Sequence, residues 1–502
     1  MQKDDLVKLV KTLSVTEKRC FRMNCKKQSC ERDYLSLFDI IENMPNDGSH
    51  DAYALFKAKH PTSSFHTTAT YLYDVITDSL VSARCDKDPL FKQMQSYMRA
   101  KVLLDRSFTA DGLKELRDCK QLAGASQNHL MEYMALREEI NVTSLLNFPD
   151  IDDNKLIALQ SKGKSILKTQ QQVHEHYSLF EILRYRLINA GKITTEQGKQ
   201  HLNDLLLSEL SLVTGKVAHN FESAKLHLLF QSFFFTSTGD YRSALRTFSE
   251  LNILFEQNLE KPGANLADYL STLEGILDSL RTLKGYDDMP FFIKKLEALV
   301  SPNNQEYLNQ RILKTALIYQ LVYLTANKDY DDALRTANAH NSLINNALAT
   351  TDYEQYWELL LYISIAHVGL KQYDKALKHL RKITPFAKNG THSTVYKAAR
   401  LLGIILRHEL GDTDFIDYEI RAYKRQNKNN RQMLQVEKLV LKAILANPVK
   451  NNPPKNKQLL AKLQPAITAA QSNNYDLQII KYYDFPAHII NKFSYKQRTP
   501  IK

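Results

Sequence analysis

The sequence predicts an all-α protein: an α-solenoid of about eight helical hairpins over residues 89–435, between an N-terminal helical domain (1–88) and a basic helical C-terminal cap (436–502). Three observations predict it. Gly and Pro number only 15 and 14 in 502 residues, well below average usage, so helices rich in Leu, Ala, Lys and Gln meet few interruptions. A short phrase recurs as "TGDYRSALRTFSEL", "ANKDYDDALRTANA" and "GLKQYDKALKHLRKI". The stretch before each phrase has helical spacing, with Leu226, Phe230, Phe233 and Phe234 in one copy and Leu360, Ile363, Ile365 and His367 in another.

The N-terminal domain reads as helices at about 3–12, 15–25, 31–43, 51–58 and 65–83. Ser14 and Glu17 in "SVTE" form a capping box. "DAYALFKAKHPTSSFHTTATYLYDVITDSL" has the outline of a helix-turn-helix, with Ser64, His66, Thr67 and Thr68 opening the second helix. That helix holds no Lys or Arg between Phe65 and Arg84, whereas DNA-binding helices bring base for phosphate. Lys18, Arg19, Arg22, Lys26 and Lys27 cluster just upstream. Five cysteines fall in the first quarter, three of them as Cys20, Cys25 and Cys30. Five-residue steps rotate successive helical side chains by about 140°, so these thiols do not converge, and no metal is expected.

The repeat is aligned on its aromatic residue. Tyr241 precedes Ala244 and Phe248; Tyr286 precedes Met289 and Ile293; Tyr330 precedes Ala333 and Ala337; Tyr373 precedes Ala376 and Leu380. A fifth copy places Phe415 before Ala422, so the steps are 45, 44, 43 and 42 residues. Each unit reads as a helix, a polar turn and a second amphipathic helix. The small residue lets the two helices approach, and the aromatic plugs the end of the hairpin. One apolar face per unit is left for a neighbour to cover. Extrapolating backwards places a further copy at Phe108 and turns near 152 and 197.

"GDYRSALRTF", "KDYDDALRTA" and "KQYDKALKHL" resemble the tetratricopeptide repeat in its turn and second helix. The resemblance implies an α-solenoid whose concave groove, lined by first helices, binds peptides or proteins. The common repeat is 34 residues, so each helix here is longer by about five residues, or 7–8 Å. The first-helix Trp of that family is absent from most copies, and Trp357 lies near that site but off it. "LVKTLSVTEKRCF", "DYLSLFDIIE" and "TATYLYDVITDSL" are similar to the opening of large tetratricopeptide-type proteins of Bacteroidetes, a group that lends architecture and no activity.

The formal charge is +12, and residues 421–502 hold sixteen Lys and Arg against three acids, Glu437, Asp476 and Asp484. Lys424, Arg425, Lys428 and Arg431 are the candidate contacts for an acidic partner. "YYDFPAHIINKF" is apolar enough to cap the last hairpin.

No phosphate-binding Gly loop, dinucleotide fingerprint, zinc-protease motif or nucleophile elbow occurs. His174 and His176 point away from each other on a helix and form no metal site. The longest apolar run, Leu359–Leu370, is too short to span a bilayer. The N-terminus shows no signal-peptide core, so a cytoplasmic location is expected. The expectation is a non-enzymatic protein- or peptide-binding scaffold or regulator, with no cofactor, metal or small-molecule substrate. A second reading is a nucleic-acid-binding regulator with an N-terminal helix-turn-helix and the solenoid as sensor or oligomerisation arm. Electrostatic attachment of the basic end to anionic membranes is a third, without an aromatic anchor to accompany it.

Overall fold

The computed structural model describes residues 3–26, 33–44, 49–85, 88–149, 151–190, 193, 196–214, 220–259, 265–302, 304, 306–345, 353–383, 393–428, 433–446 and 453–494. Its regular structure among these residues is helical, without a strand. The chain forms two compact units, Met1–Gln170 and Gln171–Lys502.

The first unit opens with α1 (Lys3–Thr12), α2 (Val15–Lys26), α3 (Asp33–Asn43), α4 (Ser49–Lys59) and α5 (Phe65–Arg84). The capping box closes as expected: Ser14 N donates to Glu17 Oε2 at 2.8 Å, and Glu17 N to Ser14 Oγ at 3.2 Å. Leu6, Val10, Phe21, Leu37, Phe38, Ile41, Phe56 and Leu72 form a core of their own. Three 17-residue helices follow: α6 (Pro89–Asp105), α7 (Thr109–Ala125) and α8 (His129–Leu145). They pack along a seam of small residues, where a Cβ on Gly112 would come within 2.7 Å of Leu104. Helix α9 (Asp153–Ala190) then runs for 38 residues and crosses the unit boundary.

The second unit contains α10 (Glu196–Gln200), α11 (Asn203–Thr214), α12 (Phe221–Thr238), α13 (Tyr241–Glu256), α14 (Leu266–Leu283), a 3₁₀ turn (Tyr286–Asp288) and α15 (Met289–Glu297). It continues through α16 (Glu306–Ala326), α17 (Tyr330–Ala339), α18 (Asn341–Asn345), α19 (Tyr353–Gly369), α20 (Tyr373–Leu380), α21 (Thr394–Leu410) and α22 (Thr413–Lys428). The last helices are α23 (Gln435–Ala446), α24 (Pro453–Ser472), α25 (Leu477–Ile480) and α26 (Phe485–Ser494).

One backbone device joins the two helices of each hairpin from α12 to α22. One or two residues after the first helix the backbone turns left-handed: Gly239, Lys284, Lys328, Lys371 and Gly411 have φ of 81°, 60°, 67°, 60° and 76°. The next amide reaches back five residues. Asp240 N donates to Phe235 O, Gly285 N to Leu280 O, Asp329 N to Leu324 O and Gln372 N to His367 O, each at 2.9 Å, and Asp412 N to Arg407 O at 3.1 Å. This is the Schellman cap, which satisfies carbonyls that a helix end leaves open. Ser107, Gln127 and Asn147 adopt the same left-handed conformation after α6, α7 and α8. There the same five-residue bonds run from Phe108 N, Asn128 N and Phe148 N.

The signature residues occupy the seams. Tyr241, Ala244 and Phe248 are buried, as are Met289, Ala333, Ala376 and Leu380, while Tyr286, Tyr330 and Tyr373 are partly buried. At Ala376 the helices come close enough for Ser364 Oγ to donate to its carbonyl at 3.3 Å. Neighbouring hairpins stack ring on glycine. A Cβ on Gly275 of α14 would lie 2.2 Å from the Phe248 ring, and one on Gly369 of α19 would lie 2.3 Å from the Tyr330 ring.

Three details depart from the sequence alignment. The fifth turn, set by Gly411, puts Thr413 where the aromatic stands elsewhere, and Phe415 is 42% exposed beneath the Arg407 guanidinium. Phe108 is likewise outside the signature position: it is the N-cap residue of α7 and is exposed. The turn expected near 152 does precede α9, but α9 has no break where the period requires a new hairpin. Between Lys155 and Asn189 the only breaker is Gly163, and one glycine costs a helix about 1 kcal/mol, too little to end it. Left-handed caps in the first unit accordingly recur every 20 residues, at 107, 127 and 147, and not every 44.

Candidate functional site

The first helices of the hairpins carry the most unusual chemistry of the second unit. Helix α14 places Asp278 and Arg281 one turn apart, facing inward. Arg281 is 3% exposed and pairs with Asp278 and with Glu358 of α19. It also donates to Tyr362 Oη at 3.2 Å, and its guanidinium lies 5.5 Å from the Tyr319 ring centroid and 4.7 Å from that of Tyr482. One side chain thus bridges α14, α16 and α19. Burial works against its charge, but Glu358, Tyr362 and Asp278 outweigh burial and keep the guanidinium protonated.

The second cation comes from the far end of the chain. Lys481 donates to both oxygens of Asp278 at 2.8 Å and lies 5.7 Å from the Tyr241 ring and 5.2 Å from the Tyr482 ring. Two cations and two carboxylates therefore share a pocket of buried aromatic rings. Burial raises the phenols of Tyr241, Tyr319, Tyr362 and Tyr482 above their ordinary range, so they stay neutral.

Lys481 belongs to a stretch, residues 473–494, that lies along the first helices. Asn474 backs against the Gly239 turn. Gln478 Nε2 donates to the carbonyl of Ile193 at 3.0 Å, and Tyr475 Oη to Glu196 Oε2 at 3.1 Å. Lys284 pairs with Asp484 at 2.7 Å, and Lys492 with Glu409 at 2.6 Å. Burial alone would raise the Glu409 carboxyl, but His488 and Lys492 prevail and hold it down at about 2. Ile479, Tyr482, Phe485, Ile489 and Phe493 join the large core made by the hairpins. Helix α26 packs on α23 and α24, while the preceding α25 (Leu477–Ile480) reaches α14 and α21.

The charge surplus of the C-terminal part is sharpened by burial. Glu437 is fully buried, accepting from Tyr423 Oη at 2.6 Å and Leu434 N at 2.7 Å. Asp476 is fully buried too, accepting from Val436 N at 2.6 Å. Burial, with Glu437 nearby, pushes its carboxyl up to about 6. Two of the three acids of this region are therefore interior. Of the candidate acidic-partner contacts, Lys424 and Arg425 are exposed on α22, Lys428 ends that helix, and Arg431 lies outside the described residues.

In the first unit, Ser64 caps α5 and His66 and Thr67 are exposed at its start. Two of the upstream bases are engaged: Lys18 pairs with Glu42 at 3.3 Å, and Arg22 with Asp39 at 2.8 Å and Glu42 at 2.6 Å, while Arg19 is exposed. Lys27 and Cys30 lie outside the described residues. Cys119 donates to Gln93 O at 3.4 Å, and burial pushes its thiol up to about 11. His174 is exposed and His176 buried, on opposite faces of α9. Among the described residues no three His, Cys, Asp or Glu side chains gather as a metal site, and no helix is long and apolar enough to cross a membrane.

Sequence reasoning missed Arg281 and Lys481. The available signal was a lone Arg on the apolar face of "YLSTLEGILDSLRTL" and a Lys beside the aromatic run "YYDF". Compared with known proteins, the chain matches no family model and resembles no curated protein in sequence.

Proposed function

We propose that this protein is a non-enzymatic scaffold or regulator of the tetratricopeptide-repeat kind, which works by binding a protein or peptide. The observation that carries the reading is the inner face of the second unit. Its first helices hold residues 473–494 through aromatic rings, apolar side chains and paired charges, the contact types by which helical repeats take a peptide. A surface of the same origin is open in the first unit. Leu90, Met94, Met98 and Val102 form an exposed row on α6, and Leu130 and Met134 lie exposed on the adjacent α8. Lys101 and Glu138 tie these two helices together at 2.8 Å. Exposed apolar rows of this kind, and methionine-rich ones above all, mark binding surfaces.

The test is purification of the tagged full-length protein from its own cells at about 150 mM salt, with and without nuclease. The expected result is a defined protein partner that survives nuclease and is lost from a Met98→Glu, Met134→Glu variant of unchanged helicity. Recovery of nucleic acid alone, released steeply by salt as phosphate contacts are, would refute it.

A further inference from the structure

A cleft in the second unit lies between α17–α18 of one hairpin and α19–α20 of the next. Its volume is about 170 Å³. Tyr356, Leu360 and Ile363 of α19 give it an apolar floor, and all three are buried. His367 and His379 form one wall, their rings stacked 17° from parallel with centroids 5.5 Å apart. Lys382 lines the cleft from an exposed position.

The polar atoms of the wall are unequally engaged. His367 Nδ1 is 3.0 Å from Gln372 Oε1. His379 Nδ1 is buried without a hydrogen-bond partner. A buried polar atom left unpaired costs roughly 1–3 kcal/mol and asks for an explanation. The charges acting on the two rings are cations: Lys375 on His367, and Lys382 and Lys378 on His379. Together with burial they push His379 down to about 4, so both rings are neutral near pH 7 and a proton has little reason to enter. A cleft with low-dielectric walls and charge of one sign concentrates the opposite sign.

We propose that this cleft binds a small carboxylate with a benzene-sized apolar body: the carboxylate meets Lys382 at the mouth, and the body lies on Leu360 and Ile363 against the stacked imidazoles. The size follows from the volume. A cavity of about 150 Å³ accommodates benzene, and drug-sized ligands need about 300 Å³ or more. The charge follows from Lys382, the charged side chain among those that line the cleft. The stacked imidazoles give the apolar body a flat wall to lie against. This site is separate from the partner-binding surface, and it would give a scaffold a chemical input.

Benzoate is the probe, applied to the full chain with histidines labelled in the ring. The expected result is one benzoate bound per chain in equilibrium dialysis, with movement of the His367 and His379 ring resonances and not of His174. Lys382→Glu, at an exposed position, should weaken binding at least tenfold, and Lys382→Arg should retain it. Benzylamine, of the same shape and opposite charge, should not bind. The proposal is overturned if benzoate fails to bind at 10 mM, if benzylamine binds equally well, or if Lys382→Glu leaves the affinity unchanged.

Discussion

Gly239 and Gly411 occupy the same position in two hairpin turns, and replacing each with Ala separates the turn from what rests upon it. Both are left-handed, with φ of 81° and 76°. An L-residue there costs roughly 1–2 kcal/mol, offset by about 0.4–1 kcal/mol because Ala restricts the unfolded chain. The two sites share this balance, a net loss of order 1 kcal/mol. They differ in what a Cβ meets. At Gly411 nothing lies within 4 Å, whereas at Gly239 the Cβ would be 2.6 Å from the carbonyl oxygen of Asn474. Backbone cannot rotate aside as a side chain can, so residues 473–476 must lift from the turn. Overpacking of this kind typically costs a further 1–3 kcal/mol. Urea denaturation followed by circular dichroism should therefore show Gly239→Ala losing at least about 1 kcal/mol more than Gly411→Ala, at an unchanged slope. Limited proteolysis should find cleavage after Lys481 accelerated in Gly239→Ala only. Equal losses and equal cleavage in the two variants would refute the packing of the C-terminal stretch on this turn.

Three further substitutions probe the same interior. Arg281→Met leaves Asp278 with Lys481 and Glu358 with no charged partner, and should cost about 3–5 kcal/mol; Arg281→Lys should recover little, because an ammonium cannot span Glu358, Asp278 and Tyr362. Gly275→Ala should cost about 1–3 kcal/mol by driving a Cβ into the Phe248 ring, whereas Gly163→Ala should add about 0.5–1 kcal/mol of stability, its Cβ meeting Leu136 at an ordinary 3.6 Å. The Asp476 carboxyl, held at about 6 when folded against an ordinary 3.8, binds its proton more tightly in the folded state. Its contribution is greatest below pH 4 and is lost as pH rises from about 4 to 6. Asp476→Asn should remove that slope and be more stable than the parent at pH 8, as measured by urea midpoints across the range; an unchanged slope would sink the assignment.

The hairpins of the second unit were legible because their signals are local. A polar pair, an aromatic and a small residue three positions on are all that a Schellman turn and a close helix pair require, and Tyr241, Tyr330 and Tyr373 each open a helix at the expected residue. The fifth register slipped because Phe415 looks like the signature aromatic, while the actual anchor is the left-handed Gly411. In the first unit the aromatic is missing and the extrapolated period failed: caps at Ser107, Gln127 and Asn147 are carried by residues with no turn signature strong enough to notice. The buried cluster was illegible for a different reason. Arg281 meets Glu358, and Asp278 meets Lys481, at separations of 77 and 203 residues, and nothing in a sequence read locally pairs residues so far apart. The same holds for the acids: a charge count treats Glu437 and Asp476 as surface, and only the fold shows them interior.

If the protein binds a partner as proposed, the filled inner face limits where that partner can sit. An open helical repeat adapts to a ligand by small rotations of one hairpin against the next. Here Arg281 joins α14 to α19 across α16, and Lys481 fastens the C-terminal stretch to the same Asp278. Any rotation that separated these helices would expose a guanidinium or strand a carboxylate, at a cost of several kcal/mol. A peptide competing for that face would have to supply the lost pairs as well as its own contacts. Few ligands could do so, and none would gain from a charge-poor row of side chains. The exposed Leu and Met rows of α6 and α8 carry no such penalty: a partner there displaces only water, and methionine adapts its shape to what it meets. The ion-paired, filled face and the exposed apolar rows thus fall in different parts of the chain, the first carried by aromatic and ionic residues and the second by exposed Leu, Met and Val.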